Sequence, residues 1–369
     1  MDGAAEAAKP RNLGGSLPVP NVQDLAARPG DLSPSVLGRY LRDTDSAPAV
    51  LSAAIGGDDD DSVPVVDLAR LLDPEHADEE AARLRAACED WGFFQVINHG
   101  VPDKVIGDMK EDLKGFFHLP LAEKRALAQE PGGIEGYGQA FVVSEDQKLD
   151  WADMFFLSTQ PPEYRELKFW PLRPPTFRDS MERYSVEVQR VATDLLRIMA
   201  KNLGVEDAEK LTRIAGSQSM RMNHYPPCPP AHDRVLGLSP HSDAVGLTLL
   251  LQVSPVPGLQ IRRKGGWVPV APLPGALVAN VGDVIEVLTN GRYKSIEHRA
   301  VVSASQERVS VAAFHVAKFG DTYGPLEEIV GAAGEAPRYR TVSVEDYMKL
   351  VLSSKLDGKN IMDAMKINP

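Results

Sequence analysis

The stretch LSPHSDAVGLTLLLQ, residues 238–252, opens an apolar run with an imidazole and a carboxylate, His241 and Asp243, two positions apart. On a β-strand, residues i and i+2 share a face, so a strand here would project both groups into the same space. Burying an unpartnered polar group costs roughly 2–7 kcal/mol, and a lone charge costs more. A metal ion would satisfy both groups at once. It needs a third ligand, and RYKSIEHRAVV (292–302) offers His298 in a second β-like run after the Asn290-Gly291 turn. Two imidazoles and one carboxylate make the facial triad used for non-haem Fe(II), which leaves positions open for other molecules. Nothing nearby resembles the HExxH of a zinc site. In a chain with 8 histidines the His-x-Asp pair alone is weak, as short motifs are; its place at the head of an apolar run gives it weight.

The same two-residue beat recurs twice. In SQSMRMNHYPPC (217–228), Arg221, Asn223 and Tyr225 share one face, with Met220, Met222 and His224 on the other. In ERVSVAAFHV (307–316), Arg308, Ser310, Ala312 and Phe314 share a face. An arginine flanked by Ser and Tyr hydroxyls suits one end of a small dicarboxylate, because the planar fork binds carboxylate bidentately. If the other end of that dicarboxylate chelates the metal, one small molecule explains all three segments. Arg221 either assists that end or pairs with an acidic residue. His99, His118, His224, His232 and His315 read as ordinary structural histidines, Trp151, Trp170 and Trp267 as core, and Cys228 as a small buried hydrophobe.

The elements that must position these groups fall into two textures. Residues 1–62 are rich in Pro, Gly, Ala and Asp, and the acid run Asp58–Asp61 reads as a solvated loop. VPVVDL (63–68) and FFQVINHG (93–100) read as strands. Between them Leu84, Ala87, Cys88 and Trp91 fall at helical spacing, stopped by Gly92. Tyr184, Val188, Val191, Leu195 and Ile198 form one apolar stripe, which predicts a helix over about 184–203 capped by Gly204. After about 217, short β-rich runs alternate with turn signals at Pro226–Pro230, Gly265-Gly266, Gly282-Asp283 and Asn290-Gly291, the pattern of an antiparallel barrel or sandwich. SVEDYMKLVLSSKL starts with Ser343 and Asp346 placed as a capping box and reads as a helix. The fold class expected is α+β with a mainly β core.

The chain has 369 residues and a formal charge of −12, with no Lys/Arg cluster, which disfavours nucleic acid and anionic membranes as partners. Two cysteines exclude a disulfide framework, no targeting segment is visible, and no run is long enough to span a membrane. Composition therefore points to a cytoplasmic globular protein and says nothing of its activity.

NHYPPCPP, HSDAVGLTLLLQ, NVGDVIEVLTNGRYKSIEHRAVV and RVSVAAF, with VPVVDL and WGFFQVINHGV upstream, resemble the plant 2-oxoglutarate- and Fe(II)-dependent dioxygenases, and LDWADMFFL leans toward the senescence-related-gene-like branch. The resemblance implies a double-stranded β-helix, or jelly-roll, at 217–320. It implies a mixed helical region at 63–216 before it and a C-terminal helical segment at 321–369 that closes the pocket; residues 1–62, which the likeness does not cover, read from composition as a partly flexible extension. It implies that His241, Asp243 and His298 hold Fe(II). Arg308 and Ser310, with Tyr225 and Asn223, would bind 2-oxoglutarate, with O2 as the second cosubstrate and ascorbate as reductant. Phe314, Phe156 and Met154 match substrate-pocket positions. Met154 stands where flavonoid-oxidising relatives carry a polar Tyr or His, which argues against a flavonoid substrate. The implied activity is hydroxylation or O-demethylation of a small, largely apolar or aromatic metabolite, hormone or xenobiotic, with release of succinate and CO2; a monomer is expected by default, since the sequence carries no sign of oligomeric state. Two alternatives stand beside it: an iron oxidase of the same fold that takes no 2-oxoglutarate, and a non-catalytic small-molecule binder.

Overall fold

The computed structural model describes residues 16–28, 30, 32–42, 62–139, 142, 144–228, 232–354 and 357–367. Its strands are β1 (Val65–Asp67), β2 (Phe93–Ile97), β3 (Gly136–Gly138), β4 (Asp153–Gln160), β5 (Ser217–Tyr225), β6 (Leu236–His241), β7 (Leu247–Gln252), β8 (Leu259–Arg263), β9 (Gly266–Pro269), β10 (Leu277–Val281), β11 (His298–Val301) and β12 (Arg308–Val316), with two further two-residue strands near the C-terminal end. An eight-stranded sheet runs β1-β2-β10-β7-β12-β5-β4-β3, and a four-stranded sheet runs β6-β11-β8-β9. The two sheets form the walls of a jelly-roll.

Alternation along the central strands divides the large sheet into two chemistries. Met220 and Met222 of β5, Leu249 and Leu251 of β7, Ala279 and Val281 of β10, and Val309 and Val311 of β12 join one apolar core with the helices that cover the outer face. Each such side chain stabilises the fold by about 1.5–3 kcal/mol on burial. The main covering helix, Phe177–Leu203, buries Tyr184, Val188, Val191 and Leu195 and ends at Gly204 with φ 72. It begins seven residues before its predicted start, because Phe177 and Met181 extend the same stripe by two turns. The opposite face of the large sheet turns inward and carries the polar residues of the site.

Three local differences from the sequence reading matter. Residues 238–252 are not one strand: β6 ends at His241, and Asp243 lies in the connection that crosses to β7 in the other sheet. DVIEVL, which stands among the β-like runs, is a short helix, Asp283–Leu288, entirely buried. A segment of six residues, four of them apolar, is too short to be assigned by periodicity, and here burial on all sides allows either state. Part of the N-terminal segment is built into the fold. Helix Val22–Ala27 is capped by Asn21, and the Asp153 carboxylate accepts from the Val22 and Gln23 amides at 2.9 and 2.8 Å. Tyr40 packs edge-on against Trp151 with centroids 5.1 Å apart. The acid run at 58–61 lies outside the described residues.

The predicted stop at Gly92 has a clear cause. A π-helical turn, Ala87–Trp91, ends there at φ 61, and a Cβ would collide with the Lys294 carbonyl. At the other end, Ser343 caps helix Val344–Leu352 through the Asp346 amide. Further on, the chain closes the open rim of β6: the Ser242 amide donates to the Gly358 carbonyl at 3.1 Å, and the Gly358 amide donates to the Pro240 carbonyl at 3.0 Å. Lys359 fastens this contact, donating to Glu286 Oε2 and the Ser295 carbonyl at 2.8 and 2.7 Å. Cys88 and Cys228 are both buried, and neither is in a disulfide among the described residues. Among the described residues no helix is long and apolar enough to cross a membrane.

Candidate metal and cosubstrate site

His241 ends β6 and His298 begins β11, directly opposite each other in the small sheet. Asp243 reaches them from the crossing between the sheets, so the strand argument that linked it to His241 does not describe how it is held. The start of helix Asp283–Leu288 holds it instead. Free first-turn amides need acceptors, and here Asp283 N donates to the Asp243 carbonyl at 2.8 Å and Val284 N to the Val245 carbonyl at 3.1 Å. The buried Asp283 carboxylate then accepts from Ser242 Oγ at 3.0 Å and Ser295 Oγ at 2.7 Å, tying together the segments that bear the ligands.

One nitrogen from each imidazole and one Asp243 oxygen lie within 4.8 Å of one another. Nε2 of His241 and of His298 stand 3.4 and 3.5 Å from Asp243 Oδ1, a spacing suited to ligands that share an ion. The remaining atoms are already engaged. His241 Nδ1 donates to the Ser239 carbonyl at 2.8 Å and His298 Nδ1 to the Ile296 carbonyl at 3.3 Å, which leaves both Nε2 lone pairs facing inward. Asp243 Oδ2 accepts from Thr248 Oγ1 at 2.7 Å and Asn280 Nδ2 at 2.8 Å, which leaves Oδ1 facing inward.

Burial pushes the His298 imidazole down to about 4, against the opposing pull of Asp243. Burial works to raise the Asp243 carboxyl, but the two imidazoles and the Asn280 amide outweigh it and hold the group well below the usual carboxylate range. Both groups therefore stand in their ligand forms at neutral pH. The donor set, its closeness and its protonation fit a divalent ion of the Fe(II) kind.

The cavity runs from the triad past Asn223 to Arg308, Ser310 and Tyr225, with Phe314 and Leu250 on its apolar side. Arg308 is 2% exposed and lies 5.2 Å over the Tyr225 ring. Its Nη2 has a long contact of 3.5 Å to Gln252 Oε1, and its buried Nε has no hydrogen-bond partner. Burial lowers its pKa, with Tyr225 opposing. A buried guanidinium with no carboxylate beside it is a site for an anion.

Two glycines make room for this pole. A Cβ on Gly258 would lie 2.8 Å from Arg308 Cδ, and one on Gly237 would lie 2.5 Å from Tyr225 Cδ1. Gly258→Ala should therefore displace the guanidinium and weaken binding of a dicarboxylate about tenfold, with metal affinity changed by less than about twofold. Calorimetry with each ligand separately checks this.

The structure thus brings together His241, Asp243 and His298, and joins to them Asn223, Tyr225, Arg308, Ser310 and Phe314. It does not bring Phe156 and Met154 to the cavity wall. They lie on β4, one strand farther out, paired with Arg221 and Asn223 of β5, and Met154 is 2% exposed in the packing there. Arg221 pairs with an amide, not an acid: its Nε donates to Asn223 Oδ1 at 2.9 Å. The other histidines with resolved partners are structural, with His224 and His118 on Glu307, His99 on the Gly275 carbonyl, and His315 between Gln218 and the Leu247 carbonyl. Thr248, Asn280, Asp283, Gly237 and Gly258 escaped the sequence reading. Thr248 and Asn280 did leave a signal there, each being the lone polar residue within the apolar segments LTLLL and LVANV.

Comparison with known proteins gives two family models that match, the non-haem dioxygenase in morphine synthesis N-terminal model over residues 63–176 and the 2OG-Fe(II) oxygenase superfamily model over residues 216–317. The chain is 50% identical to S-norcoclaurine synthase 1 of Coptis japonica across 96% of this chain and 98% of that protein. It is 41% identical to codeine O-demethylase of Papaver somniferum across 96% of this chain and 98% of that protein. Among solved structures, JOX2 in complex with 2OG, Fe and JA superposes with a TM-score of 0.84 at 33% identity, covering 96% of this chain and 100% of that one.

Proposed function

The chain belongs to the 2OG-Fe(II) oxygenase superfamily, and from that premise we propose that it couples oxidative decarboxylation of 2-oxoglutarate to hydroxylation or O-demethylation of a small, largely apolar or aromatic organic molecule. The observation that carries the reading is the pairing, in one cavity, of an inward-facing His-Asp-His triad with a buried guanidinium whose Nε has no hydrogen-bond partner. A binder with no chemistry to perform has no need of the triad.

In this reading His241, Asp243 and His298 hold Fe(II). Bound iron supplies the activation of O2 and the one-electron chemistry that an amino-acid side chain cannot perform. Arg308 and Ser310 take the far carboxylate of 2-oxoglutarate, and the Tyr225 hydroxyl and Asn223 amide complete its polar contacts. This fixes the keto-acid end toward the triad, so orientation is set before any bond changes. Phe314, Leu250 and Ala312 keep that end of the cavity dry and present an apolar surface to the organic substrate. Phe156 and Met154, beside β5 on the same face of the sheet as Arg221 and Asn223, extend that surface toward the organic substrate. The acidic balance and buried thiols agree with a cytoplasmic monomer that uses no nucleic acid, and ascorbate is the expected reductant.

S-norcoclaurine synthase 1 carries the name of a synthase, so the oxygenase reading needs a readout of its own. The test is a panel of phenolics, alkaloids, terpenoid hormones and xenobiotics given to the Fe(II)-loaded protein with 2-oxoglutarate and O2. Succinate is expected to rise with the correct substrate, one per product. Product without succinate would refute 2-oxoglutarate dependence, and absence of O2 uptake with every substrate would refute the oxygenase. With a substrate in hand, Phe314→Ala should raise the KM for that substrate about tenfold and leave the KM for 2-oxoglutarate within about twofold. The reverse pattern would remove Phe314 from the substrate wall.

A further inference from the structure

We infer that Thr248 and Asn280 are positioning residues that hold Asp243 to the metal through one oxygen only, and so keep open a position that 2-oxoglutarate or O2 must use. The inference rests on the functional reading above and adds to it a restraint on how many ligands the protein itself supplies.

A carboxylate can bind a divalent ion through one oxygen or two. Of roughly six positions on an Fe(II) ion, two imidazoles and one carboxylate oxygen fill three. A chelating 2-oxo acid takes two more, and O2 needs the last. Were Asp243 to use both oxygens, the protein would occupy one of the positions its two cosubstrates require. The structure places a constraint against that second contact. Oδ2 of Asp243 accepts two hydrogen bonds, from Thr248 Oγ1 at 2.7 Å and from Asn280 Nδ2 at 2.8 Å.

Both donors are themselves fixed. Thr248 is on β7 and Asn280 on β10, directly opposite each other in the antiparallel ladder, and each is 3% exposed. Among the described residues neither donor has another acceptor, so rotating Oδ2 toward the metal would strand two buried donors, each at a cost of about 1–3 kcal/mol. The two residues are otherwise unexpected in LTLLL and LVANV, where every neighbour is apolar. Asn280 also stands two residues before Gly282, whose lack of a side chain lets the Asp243 and Val245 carbonyls approach the helix start. The aspartate is therefore held at both its backbone and its outer oxygen, and its inner oxygen alone is left to bind.

The test compares wild type with Thr248→Val, which keeps shape and loses the donor, with Asn280→Leu, and with Thr248→Ser, which restores a hydroxyl. Mn(II) replaces iron so that no turnover intrudes. Three quantities are measured: Mn(II) affinity by calorimetry, 2-oxoglutarate affinity at saturating Mn(II), and the melting temperature of the metal-free protein. Expected for Thr248→Val and Asn280→Leu is Mn(II) affinity equal to or above wild type, with 2-oxoglutarate bound at least about tenfold more weakly. Thr248→Ser should match wild type in both. A merely structural role predicts the opposite pattern, weaker Mn(II) binding and a lower melting temperature with 2-oxoglutarate affinity at saturating metal unchanged, and that result overturns the inference. So does wild-type behaviour in both donor-free variants. If wild type itself shows no Mn(II)-dependent 2-oxoglutarate binding, the functional reading fails first and the inference falls with it.

Discussion

Asp243→Ala is expected to abolish Fe(II) binding in the micromolar range and to bring succinate formation to background. The site would keep its two imidazoles and lose the one carboxylate that lines it among the described residues, while Arg308 and Arg221 remain in the same cavity. A divalent ion entering such a pocket would meet an unfavourable field with no compensating charge. Asp243→Asn is the more telling variant. It preserves shape but turns a charged ligand into a neutral amide, and it should lose at least about a hundredfold in metal affinity. Neither variant should unfold the protein. The carboxylate is buried at the rim of the core, and the backbone of its loop is held by helix amides that neither substitution touches. Metal titration by calorimetry, with the melting curve of the metal-free protein alongside, checks the two halves of this expectation. Normal consumption of 2-oxoglutarate by Asp243→Ala would refute the triad.

Arg308→Lys should have the second largest effect, a rise in KM for 2-oxoglutarate of roughly ten- to hundredfold, the equivalent of about 1.5–3 kcal/mol for a lost charged hydrogen bond. An ammonium supplies a point charge where the guanidinium supplies a planar fork. It would also lie too short of the cavity to use the ring of Tyr225 as the arginine does, 5.2 Å below it. Arg308→Met should weaken 2-oxoglutarate further. A 2-oxo acid with no distal carboxylate provides the internal control: it should bind wild type and Arg308→Met equally, because it never reaches the guanidinium. A preference for 2-oxoglutarate over that shorter acid surviving in Arg308→Met would place the anion pole elsewhere.

The site residues were legible in the chain to different depths, and the reasons are physical. Period-two alternation found Arg221, Asn223 and Tyr225 on one face of β5 and Arg308, Ser310 and Phe314 on one face of β12, because both strands are long and regular. The same rule linked His241 to Asp243 for the wrong reason. The run between them looks continuous, yet the chain leaves one sheet at His241 and joins the other at Leu247. An apolar sequence says that a segment is buried and not which wall it belongs to. Asp283 was invisible as a support because DVIEVL carries no periodic signal in six residues, so its helix, and the amides that seize the metal loop, could not be foreseen. Phe156 and Met154 came from the resemblance alone, and they stand one strand to the side of the cavity lining, on the same face of the sheet. Thr248 and Asn280 could have been found, since an isolated polar residue in a buried strand demands a partner.

The closure of β6 by Gly358 has a consequence for how the molecule is made. That contact joins segments more than a hundred residues apart, and His298 must arrive from a third place in the chain. Encounters so distant in sequence are slow and come after the local helices have formed. The three ligands come from the end of β6, the crossing to β7 and the start of β11, so the triad is complete only where both walls and the C-terminal segment meet.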